Sequence, residues 1–196
     1  MPNLLELYLS ENAFHRIEHV GIWRQCHLKH LSVAENAIGM EMTISSQNVS
    51  ECSQYALEGL DLEGSLINGT IPETLGRLVN LRFIYLSRNG LTGPIPKSLG
   101  RLRFLDALYL SDNELTGSIP TFLGKLSVID LSNNELNGSI PEFFGNLAAL
   151  RELNLESNHL TGPIPTSIGR LVSLQEMKGM KVVIRVAKMM RGREAV

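Results

Sequence analysis

The chain has 196 residues, of which 43% are hydrophobic and 19% charged, with 17 glycines and a formal net charge of −2. This composition suits a globular chain with one repeat domain. The sequence contains no run of the roughly 20 apolar residues that a membrane-spanning helix needs, so it predicts no such segment. We also expect no nucleic-acid partner.

A short block recurs along the chain with the pattern L-x-x-L-x-L-x-x-N-x-L-T-G-x-I-P, most clearly at residues 81–96, 105–120 and 150–165. Such a period is typical of a solenoid, in which one short unit stacks on the next. The asparagine position defines seven coils that are 21 to 29 residues apart, at Asn12, Asn36, Ser65, Asn89, Asn113, Asn134 and Asn158.

The first coil begins abruptly, because Met1 and Pro2 lead at once into a predicted strand at Leu4. We recognise no signal peptide and no capping module before it. Without a cap we expect Leu4, Leu7 and Leu9 to face water. These features led to the hypothesis that the chain is a fragment of a longer protein.

Two coils depart from the common spacing. Five extra residues fall within the polar, leucine-poor stretch 39–54, which we interpret as an insertion loop. Three residues are missing after Gly124, where Leu126 runs directly into the next strand. We expect both changes to lie on the convex side of the solenoid.

Within one unit, the apolar residues at the first, fourth and sixth positions indicate a short strand with its core face on alternate residues. In the fourth coil these residues are Leu81, Ile84 and Leu86. Strands of successive coils should pair in parallel, and the asparagine should turn the chain and satisfy buried backbone groups. Glycine and proline then exclude a long helix, so only short 3₁₀ or irregular segments fit the convex side.

The repeat pattern stops at Leu174, which predicts a leucine-repeat domain at 1–174 and a separate tail at 175–196. Residues 1–174 carry 12 Lys and Arg against 18 Asp and Glu, a balance of −6, whereas the tail carries 6 against 2, a balance of +4. If the tail were helical, Lys181, Arg185 and Lys188 would share one stripe that suits an anionic membrane surface. The interpretation we favour is a segment that caps the last coil or has no structure.

The L-T-G-x-I-P motif resembles the plant-type extracellular leucine-rich repeat, found in receptor-like proteins, receptor-like kinases and polygalacturonase-inhibiting proteins. The resemblance covers about residues 4–174 and is strongest from Leu57 onward. It implies an α/β leucine-rich repeat solenoid, with a curved parallel sheet on the concave face and thin convex segments. It also implies an extracellular location as part of a longer protein.

The resemblance implies a recognition module that binds a peptide, glycan or partner protein and acts in defence or development, with a receptor kinase as a further candidate partner. One alternative is a secreted inhibitor of a pathogen's cell-wall-degrading enzyme, although the two cysteines argue against the cysteine-rich caps of that class. A non-functional receptor fragment is another. The sequence shows no catalytic constellation, metal-binding pattern or cofactor motif, so we expect no enzyme, metal or cofactor.

The candidate binding site is the concave sheet, where residues that alternate with the core leucines form columns across coils. Aromatic residues concentrate in the fourth and fifth coils, and such side chains with arginines dominate binding hot spots. The alternative is that tyrosine merely favours strands. The predicted patch comprises Arg82, Phe83, Tyr85, Arg88 and Tyr109, flanked by Asp61 and Asp130.

Two kinds of covalent modification are also predicted. Three N-x-S/T sequons, at Asn48, Asn68 and Asn137, would carry glycans if the chain is secreted. The two cysteines, Cys26 and Cys52, either pair in a disulfide or remain separate thiols, because spacing alone does not fix geometry.

Overall fold

The computed structural model describes residues 4–15, 26–39, 41–42, 55–146, 149–168 and 183–186. Within these residues the chain forms a solenoid with two parallel sheets. The larger, concave sheet has eight strands in the order β1-β2-β3-β5-β7-β9-β11-β13. Its strands are β1 Glu6–Tyr8, β2 His30–Ser32, β3 Gly59–Asp61, β5 Phe83–Tyr85, β7 Ala107–Tyr109, β9 Val128–Asp130, β11 Glu152–Leu155 and β13 Val183–Val186.

The smaller sheet lies in the segment after each asparagine and was not predicted from the sequence. Its five strands, counted over the described residues, are all parallel and run in the order β12-β10-β8-β6-β4. They are β4 Asn68–Thr70, β6 Gly90–Pro94, β8 Glu114–Ser118, β10 Glu135–Ser139 and β12 His159–Thr161.

The convex side carries short 3₁₀ helices, as the pattern predicted. They span Glu73–Arg77, Lys97–Arg101, Thr121–Lys125 and Glu142–Asn146. The residue before each of the first three is a proline with extended backbone, which suits an N-terminus because the helix start needs no N–H there.

One continuous apolar core fills the space between these layers. The leucine-type positions of every central coil are almost fully shielded from solvent, and Phe144 is the largest of these side chains. At the N-terminal end, Leu4, Leu7 and Leu9 are half-buried and pack against this core. They are therefore more shielded than the sequence led us to expect.

The asparagine ladder ties each coil to the one before it. Asn113 donates from Nδ2 to the carbonyls of Leu86, Leu110 and Ser111 at 3.0–3.1 Å, and its Oδ1 accepts the Leu91 N–H at 3.0 Å. The same pattern recurs at Asn36, Asn89, Asn134 and Asn158.

Ser65 takes the asparagine position in the third coil and replaces only part of this network. Its hydroxyl donates to the carbonyls of Val33, at 3.0 Å, and Glu63, at 3.2 Å. A hydroxyl is shorter than an amide and has a single donor hydrogen, so it does not reproduce the full set of contacts.

The missing residues shorten the convex segment between the fifth and sixth coils, and a lysine covers the carbonyls beneath. Leu126 has an extended backbone (ψ 152°) and leads straight into β9, whereas the equivalent Leu102 has ψ 86°. Lys125 donates from Nζ to the carbonyls of Gly100 at 3.1 Å and Leu102 at 2.7 Å. Burial among these neighbours lowers the pKa of Lys125. Most of the predicted insertion, residues 43–54, lies outside the described residues.

The concave sheet continues past the point where the leucine pattern ends. Val183–Val186 pairs in parallel with β11, with Ile184 opposite Leu153 and Arg185 opposite Asn154. This segment is a strand, so the helical interpretation of the tail is wrong for these four residues. The rest of 175–196 lies outside the described residues, and the domain boundary at 174 stays a prediction.

Candidate functional site

The register of the concave sheet places the predicted columns as expected. Each strand pairs with the next without a shift, so outward-facing residues of successive coils lie side by side. The column at the centre of the face, here called the central row, contains Tyr8, Ser32, Asp61, Tyr85, Tyr109, Asp130 and Asn154.

Tyr85 and Tyr109 stack in the middle of this row. Their ring centroids are 4.9 Å apart and the rings are inclined by 12°. This spacing follows from the strand separation of about 4.8 Å, which sets two neighbouring side chains at stacking distance. Both residues are half-buried, so their outer faces remain available to a ligand.

The environment of the stack favours the neutral form of both phenols. Burial raises the pKa of Tyr85, and the Asp61 carboxylate raises it further. Burial also raises the pKa of Tyr109, with smaller contributions from Tyr85, Glu152, Asp130 and Asp106. The carboxylates named here show that the stack lies in a region of negative potential.

The column next to the central row forms an apolar surface beside the stack, here called the apolar floor. Phe83 is half-buried and lies in register between Gly59 and Ala107, and Val128 follows Ala107. A Cβ at Gly59 would lie 2.7 Å from His30 Nδ1, so the His30 ring occupies the space above this glycine.

The two flanking aspartates are held by hydrogen bonds, Asp61 from the neighbouring strand and its own turn, and Asp130 from its own turn. Asp61 Oδ2 accepts from the Ser32 hydroxyl at 2.6 Å, and Asp61 Oδ1 accepts the Glu63 N–H at 3.2 Å. Asp130 Oδ1 accepts from the N–H and hydroxyl of Ser132, at 3.0 and 2.7 Å. Asp130 Oδ2 has no partner among the described residues.

The two predicted arginines occupy different surroundings. Arg82 is exposed at the N-terminal border of the patch, next to Glu58 and Asp106 in the same column. Arg88 lies at the turn after β5 and donates from Nη1 to Glu35 Oε1 at 2.6 Å, with Glu63 Oε1 at 3.9 Å. The structure thus engages Arg88 in an ion pair at the edge of the sheet, whereas Arg82 lies in the column one position before Phe83.

Sequence reasoning missed the acidic residues that surround the stack. Asp106 and Glu152 raise the pKa of Tyr109, and Glu63 donates its backbone N–H to Asp61. Asp106 and Glu152 belong to columns that follow from the repeat, so the sequence predicts their positions. It does not predict their effect on the pKa of Tyr109. Burial and the nearby Asp61 raise the pKa of Glu63, which Arg88 partly offsets.

Two of the predicted glycosylation sites lie on the smaller sheet, away from this patch. Asn68 and Asn137 are exposed on the smaller sheet, in β4 and β10. Asn48 lies outside the described residues. Cys26 is disulfide-bonded, but Cys52 also lies outside the described residues, and the pairing of these two cysteines stays a prediction.

The described residues show neither a metal-ion site nor a membrane-spanning helix. Within the described ranges, no cluster of three or more His, Cys, Asp or Glu side chains is arranged to hold a metal ion. None of the helices described is long and apolar enough to cross a membrane.

Comparison with protein families supports the repeat assignment. Models described as leucine-rich repeats match residues 105–160 and 124–178, residues 80–102, and residues 24–41. No curated protein matches the sequence significantly.

Many solved structures share the fold. The plant peptide hormone receptor RGFR1, solved with RGF2, is 29% identical, with a TM-score of 0.80, over 95% of this chain and 33% of its own. PEPR1, solved with AtPEP1, is 35% identical, with a TM-score of 0.75, over 85% of this chain and 23% of its own. The Arabidopsis receptor kinase HAESA, solved with the peptide hormone IDA and the co-receptor SERK1, is 30% identical, with a TM-score of 0.66, over 87% of this chain and 36% of its own.

This chain thus spans 23% to 36% of the length of these three structures. The fold is typical of receptor and binding proteins rather than of enzymes. With the repeat pattern, the two parallel sheets and these matches, the chain belongs to the leucine-rich repeat proteins of the plant extracellular type.

Proposed function

We propose that this chain is a recognition module of a plant receptor-like protein and binds a peptide, or an extended segment of a partner protein, on its concave face. The observation that carries the proposal is the half-buried stack of Tyr85 on Tyr109 in the central row. Rigid aromatic residues supply a large contact area at low entropic cost, which makes them frequent binding hot spots.

Two further observations support the same surface. The apolar floor formed by Phe83, Ala107 and Val128 lies directly beside the stack, so a ligand residue would contact both. In addition, the related RGFR1 is described as a plant peptide hormone receptor, and HAESA as a receptor kinase in complex with a peptide hormone. A leucine-rich scaffold permits many ligands, so the proposal depends on the patch and not on the fold alone.

The proposed setting is the extracellular side of the plant plasma membrane, or the apoplast, with this chain as one part of a longer protein. A receptor kinase is a proposed second partner, because HAESA is described in complex with both a peptide and a co-receptor. A glycan ligand and a role in defence or development remain part of the same hypothesis.

The proposal is tested by binding of the full chain to an array of synthetic peptides that represent secreted plant peptides. We expect Tyr85→Ala and Tyr109→Ala each to weaken binding of any retained peptide by about tenfold or more, the usual effect of a hot-spot aromatic. Tyr8→Ala is the matched control, because Tyr8 belongs to the same row but lies in β1 and is 63% exposed.

Equal binding by all three variants would refute the assignment of the concave patch. Circular dichroism of each variant establishes that the fold is retained.

A pectin-degradation assay with and without the chain distinguishes the inhibitor alternative from a receptor module, since only an inhibitor lowers the rate of degradation.

A further inference from the structure

We infer that the ligand segment seated on the central row is cationic, with an apolar or aromatic residue on the Tyr85–Tyr109 stack and a basic side chain toward each of Asp61 and Asp130. This inference rests on the proposed function and names the chemical class of its ligand. It follows from the order of residues in the row, where an acid flanks the aromatic pair on either side.

The geometry of the row defines the spacing of the ligand's charges. Asp61, Tyr85, Tyr109 and Asp130 lie on four adjacent strands, so three strand steps of about 4.8 Å separate the two acids by about 14 Å. An extended peptide advances about 3.3 Å per residue, and four residues therefore span about 13 Å. Two basic residues four positions apart, with an apolar residue between them, match this row.

The carboxylates are held ready for such contacts. Ser32 and the Glu63 N–H fix the Asp61 side chain, and Ser132 fixes Asp130 through Oδ1 alone. These bonds fix the orientation of the Asp130 carboxylate. Its Oδ2 accepts no hydrogen bond from the described residues and can accept one from a ligand. Side chains that are already ordered lose little conformational entropy on binding, which favours affinity.

The balance of charge around the row also favours a cation. Glu152, Asp130 and Asp106 raise the pKa of Tyr109, and Asp61 raises the pKa of Tyr85, as negative charges near a phenol should. Two cations near this face are engaged in ion pairs, Lys29 with Glu58 at 3.3 Å and Arg88 with Glu35.

Arg82 is an exposed cation within the patch, and an acid lies on either side of it in its own column. It lies in the column that contains Glu58 and Asp106, and its backbone N–H donates to the Glu58 carbonyl at 2.7 Å while its own carbonyl accepts the Asp106 N–H at 2.9 Å. Arg82 therefore stands between two acids at the border, three positions along the chain from Tyr85.

The test uses a phage-displayed library of random seven-residue peptides selected against the full chain. We expect enriched peptides to carry Lys or Arg on both sides of an aromatic residue or proline, and to lose affinity as salt is raised. For one enriched peptide made synthetically, Asp61→Asn and Asp130→Asn should each weaken binding about tenfold, the effect of losing one charged hydrogen bond.

A charge-matched control removes two carboxylates outside the concave face. Glu114 is exposed on the smaller sheet and Glu142 on a convex 3₁₀ helix, and the double variant Glu114→Gln, Glu142→Gln changes net charge as much as replacing both aspartates. Its binding should remain unchanged. If it weakens binding as much as the double aspartate variant, a general field of the protein selects the peptides and the inference is wrong.

The two proposals fail in different ways. Enriched peptides that lack basic residues but still depend on Tyr85 and Tyr109 would overturn the cationic ligand and leave the concave recognition site intact. Peptides insensitive to the tyrosine and aspartate variants, or the absence of any enrichment, would overturn both.

Discussion

Arg88 and Glu35 form an ion pair across an intervening coil, with Arg88 Nη1 at 2.6 Å from Glu35 Oε1. The two residues belong to the fourth and second coils. Gly64 holds the equivalent position in the third coil, and a Cβ there would lie 2.9 Å from the Glu35 carboxylate carbon. The glycine thus leaves the space through which the two side chains meet.

All three residues share an unusual backbone. The residue before each asparagine position has a positive φ of 53° to 58°, in Glu35, Gly64 and Arg88 as in the other coils. Glycine is the only one of the three for which this conformation is free of strain. Gly64 therefore relieves strain in its own turn and also permits the contact between its neighbours.

The first prediction concerns Gly64→Ala. We expect a loss of about 1 kcal/mol of unfolding free energy, because an L-residue at this positive φ is strained. The added methyl should also displace Glu35, whose carboxylate is the flexible end of its side chain. Urea denaturation measures the change.

A double-mutant cycle separates the two effects. Because Arg88 and Glu35 are 57% and 41% exposed at the side chain, the pair should stabilise by at most about 1 kcal/mol. Arg88→Ala should have a smaller effect when Gly64 is already Ala than in the native chain. Strictly additive changes would show that Gly64 plays no part in the contact.

The second prediction concerns the asparagine ladder. Asn113→Ala should lower the unfolding free energy by about 3 kcal/mol or more, because it leaves several buried carbonyls and the Leu91 N–H unpaired. Asn154→Ala is the control, since among the described residues the Asn154 side chain makes one exposed hydrogen bond, with the Glu156 N–H at 3.3 Å. Similar losses for the two variants would contradict the ladder's role.

The ladder also shows why most of the concave face was predictable. Core leucines alternate with exposed residues, and each asparagine position fixes where a strand ends, so the columns followed from counting along the chain. Tyr85 and Tyr109 were therefore placed side by side correctly. Their stacking angle and the hydrogen bonds of Asp130 depend on rotamers, which a repeat pattern does not specify.

The smaller sheet was not predictable in the same way. Thr92 and Thr116 occupy the same position in their repeats, yet Thr92 pairs with Glu114 and Thr116 with Pro94. This shift of two residues arises when whole coils stack, and the sequence of one coil does not encode it.

The last strand of the concave sheet was also not predicted. Strand β13 has valine and isoleucine where the pattern requires leucine, and Arg185 lies 31 positions after its neighbour Asn154, so the repeat spacing did not indicate it.

The third prediction concerns the ionisation of the stacked tyrosines. Since burial and nearby carboxylates raise the pKa of Tyr85 and Tyr109 above 10.0, folding favours their neutral forms. Their contribution to stability is therefore complete below pH 10 and is lost as the pH rises through the raised values. Near-ultraviolet absorbance of tyrosinate should show a late-titrating component.

Substitutions assign that component. Tyr85→Phe should remove part of it, and Asp130→Asn should lower the pKa of Tyr109 by removing one of the carboxylates that act on it. Tyr8→Phe is the comparison, because Tyr8 lies outside the stack in β1. A late component that survives replacement of both Tyr85 and Tyr109 by Phe would contradict the assignment.

The fourth prediction concerns glycans at Asn68 and Asn137. Both side chains are exposed on the smaller sheet, so an oligosaccharyltransferase product there meets no steric conflict with the core. When the chain is directed through a plant secretory pathway, mass spectrometry should show a glycan at each site. Thr70→Ala and Ser139→Ala keep each asparagine but destroy its sequon, and should abolish the respective glycan. The concave patch lies on the other sheet, so enzymatic deglycosylation should leave peptide binding unchanged. A loss of binding after this treatment would place the ligand on the smaller sheet instead.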